Sequence, residues 1–179
     1  MSELRKVFYY ENDKNAPVLA AGVLFVSKKK GIINVLIQKE YNNNNNQKFL
    51  YSDFGGKTSF KDKSIEHTIA RELNEEINDS IYNIKTKIFL EIEDLVKLIK
   101  DNLLKKIYIG FAKYLLVIVN FDEKIYNIDH KKVGKYEKLD NIKRDVKWIT
   151  SNNFVKYYIS KKLHPRIFGY SIIDFFTTI

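Results

Sequence analysis

Residues 53–78 constrain this chain more than any other stretch. They open Asp53-Phe54-Gly55-Gly56-Lys57, pass through a short polar segment and end Arg71-Glu72-Leu73-Asn74-Glu75-Glu76 before Ile77 and Asn78. Ile65, Ile69, Leu73 and Ile77 recur at every fourth position with Ala70 beside them, which predicts a helix over 64–77 with one apolar stripe. Ser64 or Asp62 offers an oxygen to the free amides at its start. At about 100° per residue, Glu72, Glu75 and Glu76 share one sector flanking the stripe, so they are expected at the seam between core and solvent. Like charges at that spacing cost about a few tenths of a kcal/mol per pair, and the end of a helix disfavours anions. A helix edge that collects negative charge against its local preferences points to a cation. A hard divalent ion such as Mg²⁺ takes oxygen ligands and bridges to phosphates. Gly55-Gly56 lets the backbone approach such a ligand closely, and Lys57 sets a point charge beside the turn.

Gly55-Gly56-Lys57, then a loop, then Arg71-Glu72-Leu73-Asn74-Glu75-Glu76 resembles the signature of Nudix hydrolases, which use Mg²⁺ or Mn²⁺ to cleave a pyrophosphate linked to a nucleoside or another group. The motif runs from Gly56 to Asn78, and the fold pattern extends the likeness over most of the chain. The resemblance implies an α/β fold, the Nudix-type α/β/α sandwich with a mixed β-sheet flanked by helices, in a single domain over 1–179. It implies that Glu72, Glu75 and Glu76 bind the metal and carry catalysis, that the Gly55 carbonyl touches a metal, and that Arg71 holds the glutamates in place. Two positions depart from the pattern. The usual early acid is replaced by Asp62 or Lys63, depending on where a one-residue insertion between Gly56 and Arg71 is placed. The glycine that usually ends the helix is Asn78, which tolerates the left-handed conformation a cap requires. The resemblance also implies a further carboxylate ligand before a late strand carrying a tryptophan. Glu137 and Asp140, upstream of Trp148, are the candidates; Asp145 is closer but falls in the strand itself.

The rest of the chain reads as scaffold. Its 179 residues are 45% hydrophobic and include no cysteine, which suits one sizeable core with neither disulfides nor thiolate chemistry. The start Met1-Ser2-Glu3-Leu4-Arg5-Lys6 is unlike a signal peptide and no apolar run reaches spanning length, so we expect no membrane association and an intracellular, cytoplasmic location. Pro17 to Ser27 and Ile32 to Lys39 read as strands joined by a hairpin at Lys28-Lys29-Lys30-Gly31. Asn42 to Asn46 is an unbroken asparagine run, expected as a flexible loop over 42–47. Phe49 to Ser52 reads as a short strand and Ile81 to Leu90 as mixed. Ile92 to Leu104 reads as a helix, and Ile107 to Phe121 contains the best buried strand, Tyr114 to Val119. Val146 to Ile149 is a strand. A helix capped by Ser151 or Asn152 is expected to reach Lys161, and a last helix to cover Pro165 to Phe176. His67, His130 and His164 lack metal-ligand spacing, and His67 is expected at the surface.

The formal charge is +9, and from Ile128 to Arg166 eleven Lys and Arg face four Asp and Glu. A basic surface attracts phosphates, although Lys, Asn and Ile are abundant throughout. Lys57, Lys135 and Arg166 are candidates for phosphate contact, with Lys57 and Arg166 taken as substrate-binding. The expected activity is metal-dependent cleavage of a pyrophosphate in a nucleoside-diphosphate-linked substrate. The expected partner is a phosphate-rich small molecule or an RNA 5′ end, as in mRNA decapping. The alternatives are a hydrolase of free nucleotides or diphosphoinositol phosphates, and a catalytically silent Nudix-like module that binds RNA or another partner.

Overall fold

The computed structural model describes residues 4–41, 50–133 and 143–178. Its centre is a seven-stranded mixed sheet. β1 (Phe8–Tyr9) and β2 (Pro17–Val18) form a small ribbon of their own. β3 (Ala20–Lys29), β4 (Ile32–Tyr41), β8 (Leu103–Ile109), β9 (Tyr114–Asn120) and β11 (Lys143–Thr150) build the sheet in the order β11-β4-β3-β9-β8. β5 (Tyr51–Ser52) pairs with β4 and β6 (Phe54–Lys57) with β3. β3 and β9 run parallel, and the other pairs in the sheet are antiparallel. The hairpin between β3 and β4 turns at Lys30 (φ 51°) and Gly31 (φ 78°), the two positive φ values that a tight two-residue connection demands.

Both faces of the sheet are covered, which explains why Ala20 to Val26 of β3 and Tyr114 to Val119 of β9 are apolar without interruption. Ala21, Val23 and Phe25 with Leu115, Val117 and Val119 face one core, under α1 (Ile65–Ile77) and α2 (Ile92–Asp101). Leu24 and Val26 with Tyr114, Leu116 and Ile118 face the other, under α3 (Ser151–Ile159) and α4 (Tyr170–Thr178). Each Val, Leu, Ile and Phe side chain among them contributes about 1.5–3 kcal/mol by leaving water. The architecture is therefore the α/β sandwich that was expected. Beside it, β7 (Ile81–Asn83) and β10 (Tyr126–Ile128) pair as a second ribbon.

Several boundaries differ from the sequence reading. The helix from Ile92 ends at Asp101, and Leu103 and Leu104 begin β8, since β9 has an open side that β8 pairs. The run Ile107 to Phe121 is therefore two strands around a short 3₁₀ turn at Gly110–Ala112. The cap of α3 is Thr150, whose side chain accepts the Asn153 amide, and α3 stops at Ile159. The expected last helix is broken. Pro165–Ile167 is a 3₁₀ turn, Phe168 leaves helical angles (φ −95°, ψ 78°), and α4 starts at Tyr170. The asparagine run and Phe49 lie outside the described residues.

Candidate functional site

α1 begins where predicted: Ser64 is the cap, and its hydroxyl accepts the His67 amide at 3.2 Å. It ends in Asn78, left-handed at φ 59° and ψ 49°. β6 delivers Gly55 and Gly56 to the helix face that carries the carboxylates. A side chain at Gly56 would collide with the Glu72 carboxylate, so that group lies directly over the glycine. Arg71 sits among the acids. Its Nη1 is 2.8 Å from Glu72 Oε1 and 3.5 Å from Glu75 Oε1, its Nη2 donates to the Lys57 carbonyl at 2.9 Å, and its Nε and Nη2 grip the two oxygens of Asp62 at 3.0 and 3.1 Å.

Asp62 thus takes the position beside the arginine that the sequence left open between Asp62 and Lys63. It also accepts the Ser59 amide and the Thr68 hydroxyl, each at 2.7 Å. Burial alone would raise its pKa, but Arg71, the Ser59 amide and Thr68 outweigh that and hold the carboxyl at about 2. His67, expected at the surface, is drawn in as well: its Nδ1 lies 3.3 Å from Asp62 Oδ1, because Asp62 folds back over the first turn of the helix.

The three glutamates do not share one environment. The side chains of Glu72 and Glu75 are 17% and 24% exposed, at the seam expected for them, whereas Glu76 is only 4% exposed and turns inward. There Glu76 Oε2 accepts Gln38 Nε2 at 2.7 Å and the Gly55 amide at 2.9 Å, while Oε1 faces Arg144 Nη1 at 3.4 Å. Arg144 Nη1 also donates to Gln38 Oε1 at 2.9 Å, and Gln38 Nε2 to the Asp53 carbonyl at 2.7 Å. Burial pushes the Glu76 carboxyl up to about 8, against the pull of Arg144 and Arg166. Gln38 and Arg144 escaped the sequence reading. The available signal was a polar residue at an inward position of each strand, two places beyond Leu36 in β4 and two before Val146 in β11.

Behind Gly55, on the α3 side of the sheet, Asp53 is fully buried and pairs with Arg166, Nε to Oδ1 at 2.8 Å. Asp53 also accepts the Tyr114 hydroxyl. Burial and the neighbouring carboxylate push the Tyr114 pKa well above its ordinary value, so the hydroxyl stays a donor. Arg166, expected at a substrate phosphate, is committed to this interior pair. Lys57 is exposed beside the glycine turn. Glu137, Asp140 and Lys135 lie outside the described residues, and Asp145 is exposed on β11.

Among the described residues, no three acidic or histidine side chains converge as a ready metal cage. The outer pair nevertheless fits a hard divalent cation. Glu72 and Glu75 present only oxygens, they already share one cationic nitrogen, and Mg²⁺ is commonly held by one or two carboxylates with the remaining positions left to water and phosphate.

By sequence, no protein-family model matches this chain, and no curated protein does. Among solved structures it is similar to the Ap4A hydrolase of C. elegans in a binary complex, at 16% identity over 89% of this chain and 95% of that one, with a TM-score of 0.45. It is similar to the Nudix hydrolase RenU of M. smegmatis, at 13% identity over 91% and 88%, with a TM-score of 0.47. The Nudix domain of Shewanella oneidensis NrtR, complexed with ADP-ribose, gives 15% identity over 78% and 76%, with a TM-score of 0.43. These structures are Nudix hydrolases and a Nudix domain.

Proposed function

We propose that this chain is a Nudix-type pyrophosphohydrolase that cleaves a phosphate anhydride in a nucleoside-diphosphate-linked substrate with Mg²⁺ or Mn²⁺. The observation that carries the reading is the pairing of Glu72 and Glu75 around a single cationic nitrogen, directly over Gly56, with Glu76 anchored behind them. A bound divalent ion supplies charge neutralisation at the anhydride oxygens and lowers the pKa of a water. The chain's own residues do the rest. Glu72 and Glu75 would hold the cation. Arg71, fixed by Asp62, keeps both carboxylates from splaying. Gly56 leaves room for Glu72, and the Gly55 amide fixes Glu76. Lys57, exposed beside the glycine turn, carries a positive charge where a phosphate would enter.

Within this reading, a capped RNA end is the finer substrate. It is supported by a basic, aromatic face on the α3 side of the sheet, across its edge from the carboxylates, formed by β4, β5, β11, α3 and the residues that follow α3. Tyr51 and Tyr157 stack at 4.7 Å between centroids. Lys147 Nζ lies 4.4 Å from the Tyr51 ring centre, Lys39 Nζ 5.5 Å from the same ring, and Lys162 Nζ 5.9 Å from that of Tyr157. Aromatic rings among lysines suit a single strand, whose bases stack and whose phosphates are neutralised.

The test is Mg²⁺-dependent release of nucleotide from a panel: a dinucleoside polyphosphate, a nucleoside diphosphate sugar, a diphosphoinositol phosphate, a cap dinucleotide and capped RNA. Turnover is expected for wild type, with a loss of about 100-fold or more in Glu72→Gln, equivalent to about 2.7 kcal/mol or more of transition-state stabilisation. Equal rates in both proteins reject the site. Capped RNA should outcompete the cap dinucleotide at low salt and lose that advantage at high salt; equal preference at both would move the substrate to small molecules. Binding of RNA without turnover would favour the silent module.

A further inference from the structure

The segment that follows α3 closes on the glycine turn from the side of the sheet opposite α1. Residues 162–164 run beside β5. The Tyr51 amide donates to the Lys162 carbonyl at 2.9 Å, and the His164 amide donates to the Tyr51 carbonyl at 2.8 Å. Two residues on, Arg166 extends this seam with its side chain. Its Nε meets Asp53 Oδ1 at 2.8 Å, and its Nη2 donates to the Asp53 carbonyl at 3.1 Å and to Ser52 Oγ at 3.4 Å. Its guanidinium carbon stands 5.5 Å from the Tyr114 ring centre.

The other side of Asp53 is equally confined. A side chain at Gly22 would collide with both the Tyr114 hydroxyl and the Asp53 carboxylate, and one at Gly55 with the Tyr114 hydroxyl and the β3 backbone. The Asp53–Tyr114 pair therefore fills space that two glycines leave open. Gly55 uses its amide to hold Glu76, and the Asp53 carbonyl accepts from the Ser52 hydroxyl, from Arg166 and from Gln38, which itself holds Glu76. Three hydrogen bonds, through the Asp53 carbonyl and Gln38, link Arg166 to Glu76 although the two are far apart in sequence. A cation in a purely structural buried pair could have been replaced, together with its partner, by apolar side chains of similar size at little cost. Here it fixes one carbonyl and one carboxylate of the residue that leads into the glycine turn.

We propose that Arg166, through Asp53 and Tyr114, is a positioning residue for the hydrolytic site: it sets the Gly55–Gly56 turn against α1 and thereby places Glu76 behind Glu72. The proposal rests on the function proposed above, and it assigns the post-α3 segment a part in the chemistry that the helix motif does not contain.

The experiment compares wild type, Arg166→Ala, Arg166→Lys and the double variant Asp53→Asn/Arg166→Met, which removes both charges together. Each is measured for thermal stability, for Mn²⁺ affinity by electron paramagnetic resonance, for kcat and KM, and for exchange of the Gly55 amide. Arg166→Ala strands a buried carboxylate and is expected to lose stability; the double variant is expected to recover it. The double variant should nevertheless keep a faster Gly55 exchange, an Mn²⁺ affinity weakened by about 10-fold or more, and a kcat reduced by about 10–100-fold with KM little changed. Added methylguanidinium should restore part of the kcat of Arg166→Ala, and Arg166→Lys should fall between. A double variant with wild-type kcat, Mn²⁺ affinity and Gly55 exchange overturns the proposal, as does activity that simply tracks stability across the series. Amide exchange and Mn²⁺ binding need no turnover. If wild type hydrolyses none of the panel while both still respond to Arg166, the clamp stands and the function reading falls.

Discussion

Gly22 and Gly56 both sit at strand positions where a side chain would meet an acid, yet alanine should affect them in opposite ways. At Gly56 the added methyl meets the end of the Glu72 side chain, which is flexible and partly exposed. The backbone there needs no left-handed angle, so Gly56→Ala should fold. It should instead move the Glu72 carboxylate by an ångström or so, a displacement able to cost about 100-fold in rate. At Gly22 the methyl meets the Phe54 carbonyl at 2.6 Å as well as the Tyr114 hydroxyl and the Asp53 carboxylate, none of which can withdraw. Overpacking of that kind costs about 1–3 kcal/mol. Thermal melts and steady-state kinetics run side by side should show Gly56→Ala stable and slow, and Gly22→Ala unstable. A fully active Gly56→Ala would mean that Glu72 does not work from its place over the glycine.

At the scale of elements, α1 is only as well defined as its last turn, which carries Glu75 and Glu76. That turn closes on Asn78, whose amide returns to the Asn74 carbonyl with the residue in the left-handed region. Alanine in that conformation costs about 1–2 kcal/mol, so Asn78→Ala should lower Tm by about 2–8 °C for a chain of this size. It should also speed amide exchange through residues 75–77 while leaving the start of the helix protected. Uniform exchange along the helix would show that packing, not the cap, holds its end. The limits of α1 were legible because a helix announces itself locally, by an apolar stripe, a serine before it and a left-handed asparagine after it. Leu103 and Leu104 were not, because their spacing continues the apolar pattern of α2 while the open side of β9 claims them for pairing. The same contrast divides the site. Glu72, Glu75 and Arg71 interact within two turns of one helix and were legible. The inward turn of Glu76 depends on Gln38 and Arg144, brought from two other strands by the register of β4 and β11. The pairing of Arg166 was not legible for a related reason: nothing near it in sequence reveals that Asp53 waits in the interior.

For the molecule as a whole, two buried acids set opposing slopes of stability against pH. Asp62 is held at about 2, below its ordinary 3.8, by Arg71, the Ser59 amide and Thr68 working against burial. The unfolded chain binds its proton more readily, so this stabilisation is complete above pH 3.8 and is lost as pH falls toward 2. Glu76 is held at about 8, above its ordinary 4.5, because burial outweighs the nearby arginines. Here the folded chain keeps the proton that the unfolded chain releases, so the contribution is complete below pH 4.5 and declines as pH rises through about 8. Denaturant midpoints measured from pH 2 to 9, in chelator and at constant ionic strength, should separate the two. Asp62→Asn should flatten the difference from wild type on the acid limb alone. Glu76→Gln, which keeps an oxygen for Gln38 and the Gly55 amide but cannot ionise, should lose less stability than wild type between pH 5 and 8. Should wild type and Glu76→Gln run parallel across that range, Glu76 is already ionised beside Arg144 when the fold forms, and the glycine turn is held by a carboxylate at every pH in which the protein is folded.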